Sequence, residues 1–247
     1  MSDPSGPSRD LPTPASALAI AAHPDDVEFN AAATLAKWAA AGCVVHHLVL
    51  TDGSKGTWDP DEDIPALVAA RQVEQRAAAA ALGATGQVVM LDNVDGELES
   101  GLHQRERVAY WIRKLAPQVV LGHDPWRRYR LHPDHRHAGW LTVDGIVAAR
   151  DPFFFPDHDV AHHRPDLLLL FEADEPDHVE DVTGFEATKL AALLEHRSQF
   201  VTTMAIDDSE SGEQLQAFRD RVFDRMRRAG APAGVTFGEA FKLIDDL

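Results

Sequence analysis

Ala17-Leu18-Ala19-Ile20-Ala21-Ala22-His23-Pro24-Asp25-Asp26 is the run from which the fold is read. Its first six residues are small and apolar without alternation, the pattern of a strand buried on both faces. Residues 31–41 behind it have helical composition, so His23 to Asp26 occupy a strand-to-helix turn. Open α/β sheets place their ligands at such carboxyl ends. The turn is acidic and lacks the glycines of a nucleotide-binding first loop, and neither G-x-G-x-x-G nor G-x-x-x-x-G-K-[ST] is present, which speaks against a nucleotide-binding α/β protein.

Outward from this run the same rhythm repeats. Strands are expected over 43–50, 87–91, 118–121 and 167–171. Helices fit 64–82, stopped by Gly83, then 102–115, part of 132–149, 184–196 and 211–228. Alternation of this kind implies an α/β fold: a Rossmann-like, mostly parallel sheet with helices on both faces and an active site at the carboxyl ends of the strands. Residues 1–14, rich in Ser, Pro and Asp, read as a mobile tail, with 15–247 as one domain. The stretch 151–163 has no clean period, and its three adjacent phenylalanines suit core packing or a contact in a homo-oligomer, more than a lid.

Composition narrows the partners. The formal charge is -17, from 40 acidic and 23 basic residues, which opposes binding to nucleic acid. The single cysteine, Cys43, excludes an internal disulfide and an all-cysteine metal site, and fits a reducing cytoplasm. No apolar run is long enough to span a membrane, and the N-terminus lacks the pattern of an export signal.

A second cluster, His132-Pro133-Asp134-His135, repeats the His-Pro-Asp theme after another expected strand. If the two loops converge, His23, Asp26 and His135 offer two imidazoles and a carboxylate. Such a three-ligand set leaves a position for water, as hydrolytic zinc sites require. Asp25 then stands unligated as a general base, and His132 can donate to a developing oxyanion. Either cluster alone could equally cap a helix through its carboxylate; two in matching positions favour the metal. The same ligand types serve iron(II), so residue types alone do not select zinc.

At these residues the sequence resembles the LmbE-like (PIG-L) N-deacetylases, metal-dependent enzymes that remove acetyl from N-acetylated sugars. The resemblance spans residues 17–200. It rests on Ala22-His23-Pro24-Asp25-Asp26 with Glu28, on Thr51-Asp52-Gly53 with Gly56-Thr57, and on Arg71 with Glu74. It continues through Leu82-Gly83, Asp95-Gly96, the His132 to His135 cluster, Lys189 and His196-Arg197-Ser198-Gln199. It implies Zn2+, with Fe2+ or another divalent metal as substitute, on His23, Asp26 and His135; Asp25 as base; His132 as partner of the tetrahedral intermediate; and a Rossmann-like sheet without a dinucleotide. The family has glycine after its first motif, whereas Phe29-Asn30-Ala31-Ala32-Ala33 has none; Asn30 tolerates the left-handed turn that glycine would supply, and the change touches the substrate pocket.

Arg71 and Asp95 are candidates for binding substrate hydroxyls, and Lys55 a weaker one. Trp58 and Trp126 suit either a sugar stack or rim packing. His123 fits a place behind the metal, and His178 follows a strand that could bring it there. One of His46 and His47 should face the core, and His103, His137, His158, His162 and His163 the surface. The reaction expected is hydrolysis of a sugar acetamide to acetate and a free amine. The alternatives are a metal hydrolase of another amide or ester, and a non-catalytic metal-containing glycan-binding protein.

Overall fold

The computed structural model describes residues 6–247. Eight strands form one sheet in the order β1-β7-β8-β6-β5-β2-β3-β4. They are β1 (Ser8–Arg9), β2 (Ser16–Ala21), β3 (Val44–Thr51), β4 (Val88–Asn93), β5 (Val119–His123), β6 (Leu167–Phe171), β7 (His178–Asp181) and β8 (Gly238–Ile244). All run parallel except β8, which is antiparallel to both β6 and β7. The helices are α1 (Asp26–Ala40), α2 (Ile64–Ala81), α3 (Leu102–Leu115), α4 (Pro133–Arg150), α5 (Glu186–Leu194) and α6 (Gly212–Gly230). The expected α/β, mostly parallel architecture is therefore present.

Side-chain size along β2 explains how the layers stack. Leu18, Ile20 and Ala22 point to one core with Val108 and Ile112 of α3 and Leu141 and Ile146 of α4. Ala17, Ala19 and Ala21 point to the other, where their small size admits Leu35 and the fully buried Trp38 of α1. Because β2 pairs with β3 on one side and β5 on the other, the chain changes direction of winding there. The loops after β2 and β5 thus open a crevice at the switch point.

Three expectations are corrected. Residues 8–9, expected in the mobile tail, form β1: Ser8 and Arg9 pair with His178 and Val179 of β7, and Leu11 N donates to Glu180 Oε1 at 2.8 Å. That ladder supplies the partners that composition alone does not reveal; residues 1–5 lie outside the described residues. Strands β7 and β8 are not among the expected ones, because His-Val-Glu-Asp and Gly-Glu-Ala-Phe-Lys-Leu-Ile carry polar residues where buried strands carry none. Helix α1 starts at Asp26, five residues earlier than expected, so Asp26 is itself helical. Within 151–163, Phe154 and Phe155 pack on the core and Phe153 is exposed. The Arg113 guanidinium gathers the carbonyls of Ala148, Ala149, Asp151, Phe154 and Phe155 beneath that segment.

Helix α4 lies tight against the end of β5. A Cβ on Gly139 would stand 2.8 Å from His123 O and Pro125 N, both backbone atoms. Gly139→Ala should therefore cost about 1–3 kcal/mol through overpacking and lower the thermal midpoint by several degrees. An unchanged melting curve would mean that α4 is not pinned there.

Candidate active site

The two His-Pro-Asp loops meet in a cleft of about 370 Å³ at the carboxyl ends of the strands. Ligand atoms of three residues converge there, Asp26 through both of its oxygens. His23 Nδ1 lies 3.1 Å from His135 Nε2 and 3.3 Å from Asp26 Oδ2, and His135 Nε2 lies 3.1 Å from Asp26 Oδ1. Metal bonds of about 2.0–2.2 Å in a tetrahedral arrangement would separate ligands by about 3.3–3.6 Å, close to these spacings.

The far nitrogen of His23 explains why Nδ1 faces inward. His23 Nε2 lies 3.1 Å from both Asp134 Oδ2 and Asp95 Oδ1. An N–H on Nε2 answers those acceptors and leaves the Nδ1 lone pair for a cation. Asp134 is itself fixed by the backbone N–H groups of Gly96 and Leu98. Burial opposes charge on the His23 imidazole, but hydrogen bonds to Asp134, Asp26 and Asp95 outweigh it and raise its pKa well above the ordinary value. A site so rich in carboxylates demands positive charge. A proton on Nδ1 could serve Asp26 but not also His135; a metal ion could serve all three, so the residues fit one. Three overlapping sets of potential ligand atoms, His23 with His132 and His135, Asp26 with His123 and His135, and His23 with Asp95 and Asp134, gather within 4.8 Å.

Neither Asp25 nor Asp26 caps α1. Asp25 stands at the N-cap position with φ 91° and makes no side-chain cap bond. Its carboxylate instead faces Arg71 Nη2 at 3.3 Å, while its N–H donates to Gln75 Oε1 at 3.0 Å. Burial pushes the Asp25 carboxyl up to about 6; Arg71 opposes the shift and Asp26 adds to it. Asp26, equally buried, is held well below the usual carboxylate range by His123 and His23, which overcome the burial. Two adjacent carboxyls are thus driven apart in basicity, one suited to taking protons and one to staying charged.

His132 stands at the N-cap position of α4, its ring edge-on to His23 at 4.6 Å and stacked on His135 at 4.9 Å. Partial desolvation and the neighbouring His23 lower its pKa, leaving a neutral ring with one N–H to offer.

Arg71 and Asp95 both line the cleft, but the protein already engages them. Arg71 is buried and donates to Gly53 O and Pro24 O, bracing the loop that carries Asp25. A Cβ on Gly56 would fall 2.1 Å from its guanidinium, which accounts for glycine there. Asp95 spends one oxygen on His23 and accepts Lys55 N with the other. Both residues, expected to bind substrate hydroxyls, are thus buried and bonded to the loops that carry the site.

The remaining motif residues form a buried frame. Gln75 joins the Asp25 loop to Glu28 and His47, and Glu28 accepts from His196 at 3.2 Å. Ser198 bonds Glu74, and Gln199 donates to Gly56 O. His123 sits behind the trio, 3.3 Å from Asp26 and stacked on His135. Asn30 departs from expectation: it is helical rather than left-handed, donates from its amide to Asp26 O and accepts from Arg225 Nη2 at 2.7 Å. His178 is turned away, bonded to Ser8 and Glu180. His158 is not a surface residue, since it packs against Phe155 and Tyr110. Trp58 is exposed, and Trp126 packs edge-on against Trp140. Unanticipated in the cleft are Glu172, Arg130 and Arg225. Glu172 directly follows β6, so the strand-end rule could have found it; the two arginines have no local signal.

Comparison with known proteins bears on this geometry. The family model for PIG-L, GlcNAc-PI de-N-acetylase, matches residues 18–146, just over half of the chain. The chain belongs to the PIG-L family. Among its PIG-L relatives, the diacetylchitobiose deacetylase of Thermococcus kodakarensis is 34% identical over 186 residues, covering 74% of this chain and 69% of that protein. The solved N,N'-diacetylchitobiose deacetylase of Pyrococcus horikoshii superposes with a TM-score of 0.84 at 27% identity, over 94% of this chain and 84% of that one. A 4-oxalmesaconate hydratase of Pseudomonas putida is 28% identical over 216 residues, 80% of this chain and 81% of that protein.

Proposed function

We propose that this protein is a metal-dependent N-deacetylase that hydrolyses the acetamide of an N-acetylated sugar of the N-acetylglucosaminyl type, giving acetate and a free amine. The convergence of His23 Nδ1, Asp26 and His135 Nε2 at 3.1–3.3 Å, with Asp25 unengaged by that trio, carries the reading. These three residues would hold the metal; Zn2+ is the expected ion, with Fe2+ the competitor the set also accepts. Such an ion supplies Lewis acidity, polarising the amide carbonyl and acidifying water.

The chain's own groups do the rest. Asp25, its basicity raised by burial, takes a proton from the attacking water as the new C–O bond forms. It returns that proton to the amide nitrogen as the C–N bond breaks, so the amine leaves neutral. His132 donates its N–H to the carbonyl oxygen as negative charge gathers there. Arg71 holds the Asp25 loop, and Asp95 with Asp134 fixes the His23 ring.

The test joins metal analysis to amine release from N-acetylglucosamine and its oligomers, with water addition to 4-oxalmesaconate as the competing assay. Stoichiometric metal with amine release supports the reading; turnover of 4-oxalmesaconate alone would replace it with the chemistry of the hydratase relative. His132→Ala should lower kcat by about 10² to 10³ with little change in KM. A rise in KM alone would make His132 a substrate-binding residue.

A further inference from the structure

The charge of the cleft differs from that of the molecule. A chain with a formal charge of -17 repels anions at long range. Within the cleft, however, the cations Lys55, Arg71, Arg130 and Arg225 equal in number the carboxylates Asp25, Asp26, Asp95 and Glu172. A divalent ion on the trio would make the cleft positive.

That surplus is concentrated at one end. Glu172 is the single carboxylate facing three guanidiniums, at 2.5 Å from Arg130, 3.4 Å from Arg127 and 3.8 Å from Arg225. It also faces His123 at 3.5 Å. One carboxylate cannot neutralise them all. Arg130 takes the close contact and also meets His135 Nδ1, while Arg225 is left with the neutral Asn30 amide at 2.7 Å as its near partner. Its side chain is 53% exposed, and it lines both the main cleft and a smaller adjoining cavity. Asn30 in turn is tied to Asp26, so Arg225 is held at a fixed position relative to the proposed metal trio.

We propose that Arg225, beside the Arg130–Glu172 pair, forms an oxyanion subsite, and that the preferred substrate is an N-acetylated sugar carrying a carboxylate or phosphate group. The inference rests on the deacetylase reading for its sugar, but on charge and geometry for its anion. Planar guanidinium is suited to both oxyanions. A charge-assisted contact of this kind distinguishes substrates by about tenfold or more.

The experiment compares kcat/KM of the metal-loaded enzyme for N-acetylglucosamine, N-acetylglucosamine 6-phosphate and N-acetylmuramic acid. At least one anionic sugar should exceed the neutral one by about tenfold, and which one identifies the oxyanion. In Arg225→Gln the anionic-to-neutral ratio should collapse; in Arg225→Lys, which keeps the charge but not the fork, it should fall part of the way. Added salt should erode the preference in the native enzyme. A neutral sugar used as well as both anionic ones, or a ratio unmoved by Arg225→Gln, would overturn the proposal. Calorimetric titration of N-acetylglucosamine 6-phosphate into metal-loaded Asp25→Asn, with and without Arg225→Gln, reads the subsite without turnover. If no acetamide is cleaved, the deacetylase reading fails, while the subsite stands on a loss of binding in the double variant and falls if binding is equal.

Discussion

Asp25→Asn should keep its metal and lose turnover by roughly 10² to 10⁴, the range for removal of a positioned general base. The amide preserves shape but cannot accept a proton. The variant would also retain the backbone bond to Gln75, which does not involve the side chain, and the approach of Arg71, which an amide oxygen can still accept. The loss would therefore lie in kcat and not in folding, which circular dichroism and metal analysis on the same sample would verify. If the variant turned over at the native rate, the proton would have another acceptor in the cleft and Asp25 would lose its role as base.

The second large effect is loss of the metal itself. His135→Ala removes one of the three converging side chains, and its neighbours cannot shift to replace it. His132 is anchored at the start of α4, and Asp134 is committed to His23 and to two backbone N–H groups. Dialysis against a weak chelator should strip the variant while the native protein retains one ion per chain. Stoichiometric metal in the variant would remove His135 from the ligand set and transfer its place to one of the overlapping groups, His132 or His123.

Much of this arrangement is legible from residues 17–26 and 132–135. A strand of alanines with few larger side chains announces burial on both faces, and a His-Pro-Asp run at its end can only lie on the ligand-bearing edge of a parallel sheet. The sequence does not show how the acidic residues are shared. Asp95 and Asp134 look like loop carboxylates, yet both end on one imidazole nitrogen, a matter of tertiary approach from β4 and α4. Arg71 is legible as a cation near the site but not as a brace, because its partners are carbonyls that carry no residue signature. Asn30 shows the same limit: its tolerance of left-handed backbone suggests a turn, whereas a helical hydrogen bond and a distant arginine use it. Strands β1, β7 and β8 escape notice because β1 is two polar residues long and β7 and β8 carry polar residues where the other buried strands carry none.

The β1-β7-β8 side of the sheet also sets an order of assembly during synthesis. The trio and the carboxylates behind it come from residues 23–135, on the loops after β2, β4 and β5, and β6 can dock on β5 as soon as residue 171 is made. By contrast β7 reaches the sheet only through β8, and β1 only through β7. A chain growing from its N-terminus must therefore carry Ser8 and Arg9 unpaired until Gly238–Ile244 has been translated and has threaded between β6 and β7. Such long-range closure is slow and exposes strand edges while it waits. The half of the sheet that carries the trio can thus be in place on the ribosome before the half that carries Arg225 is complete.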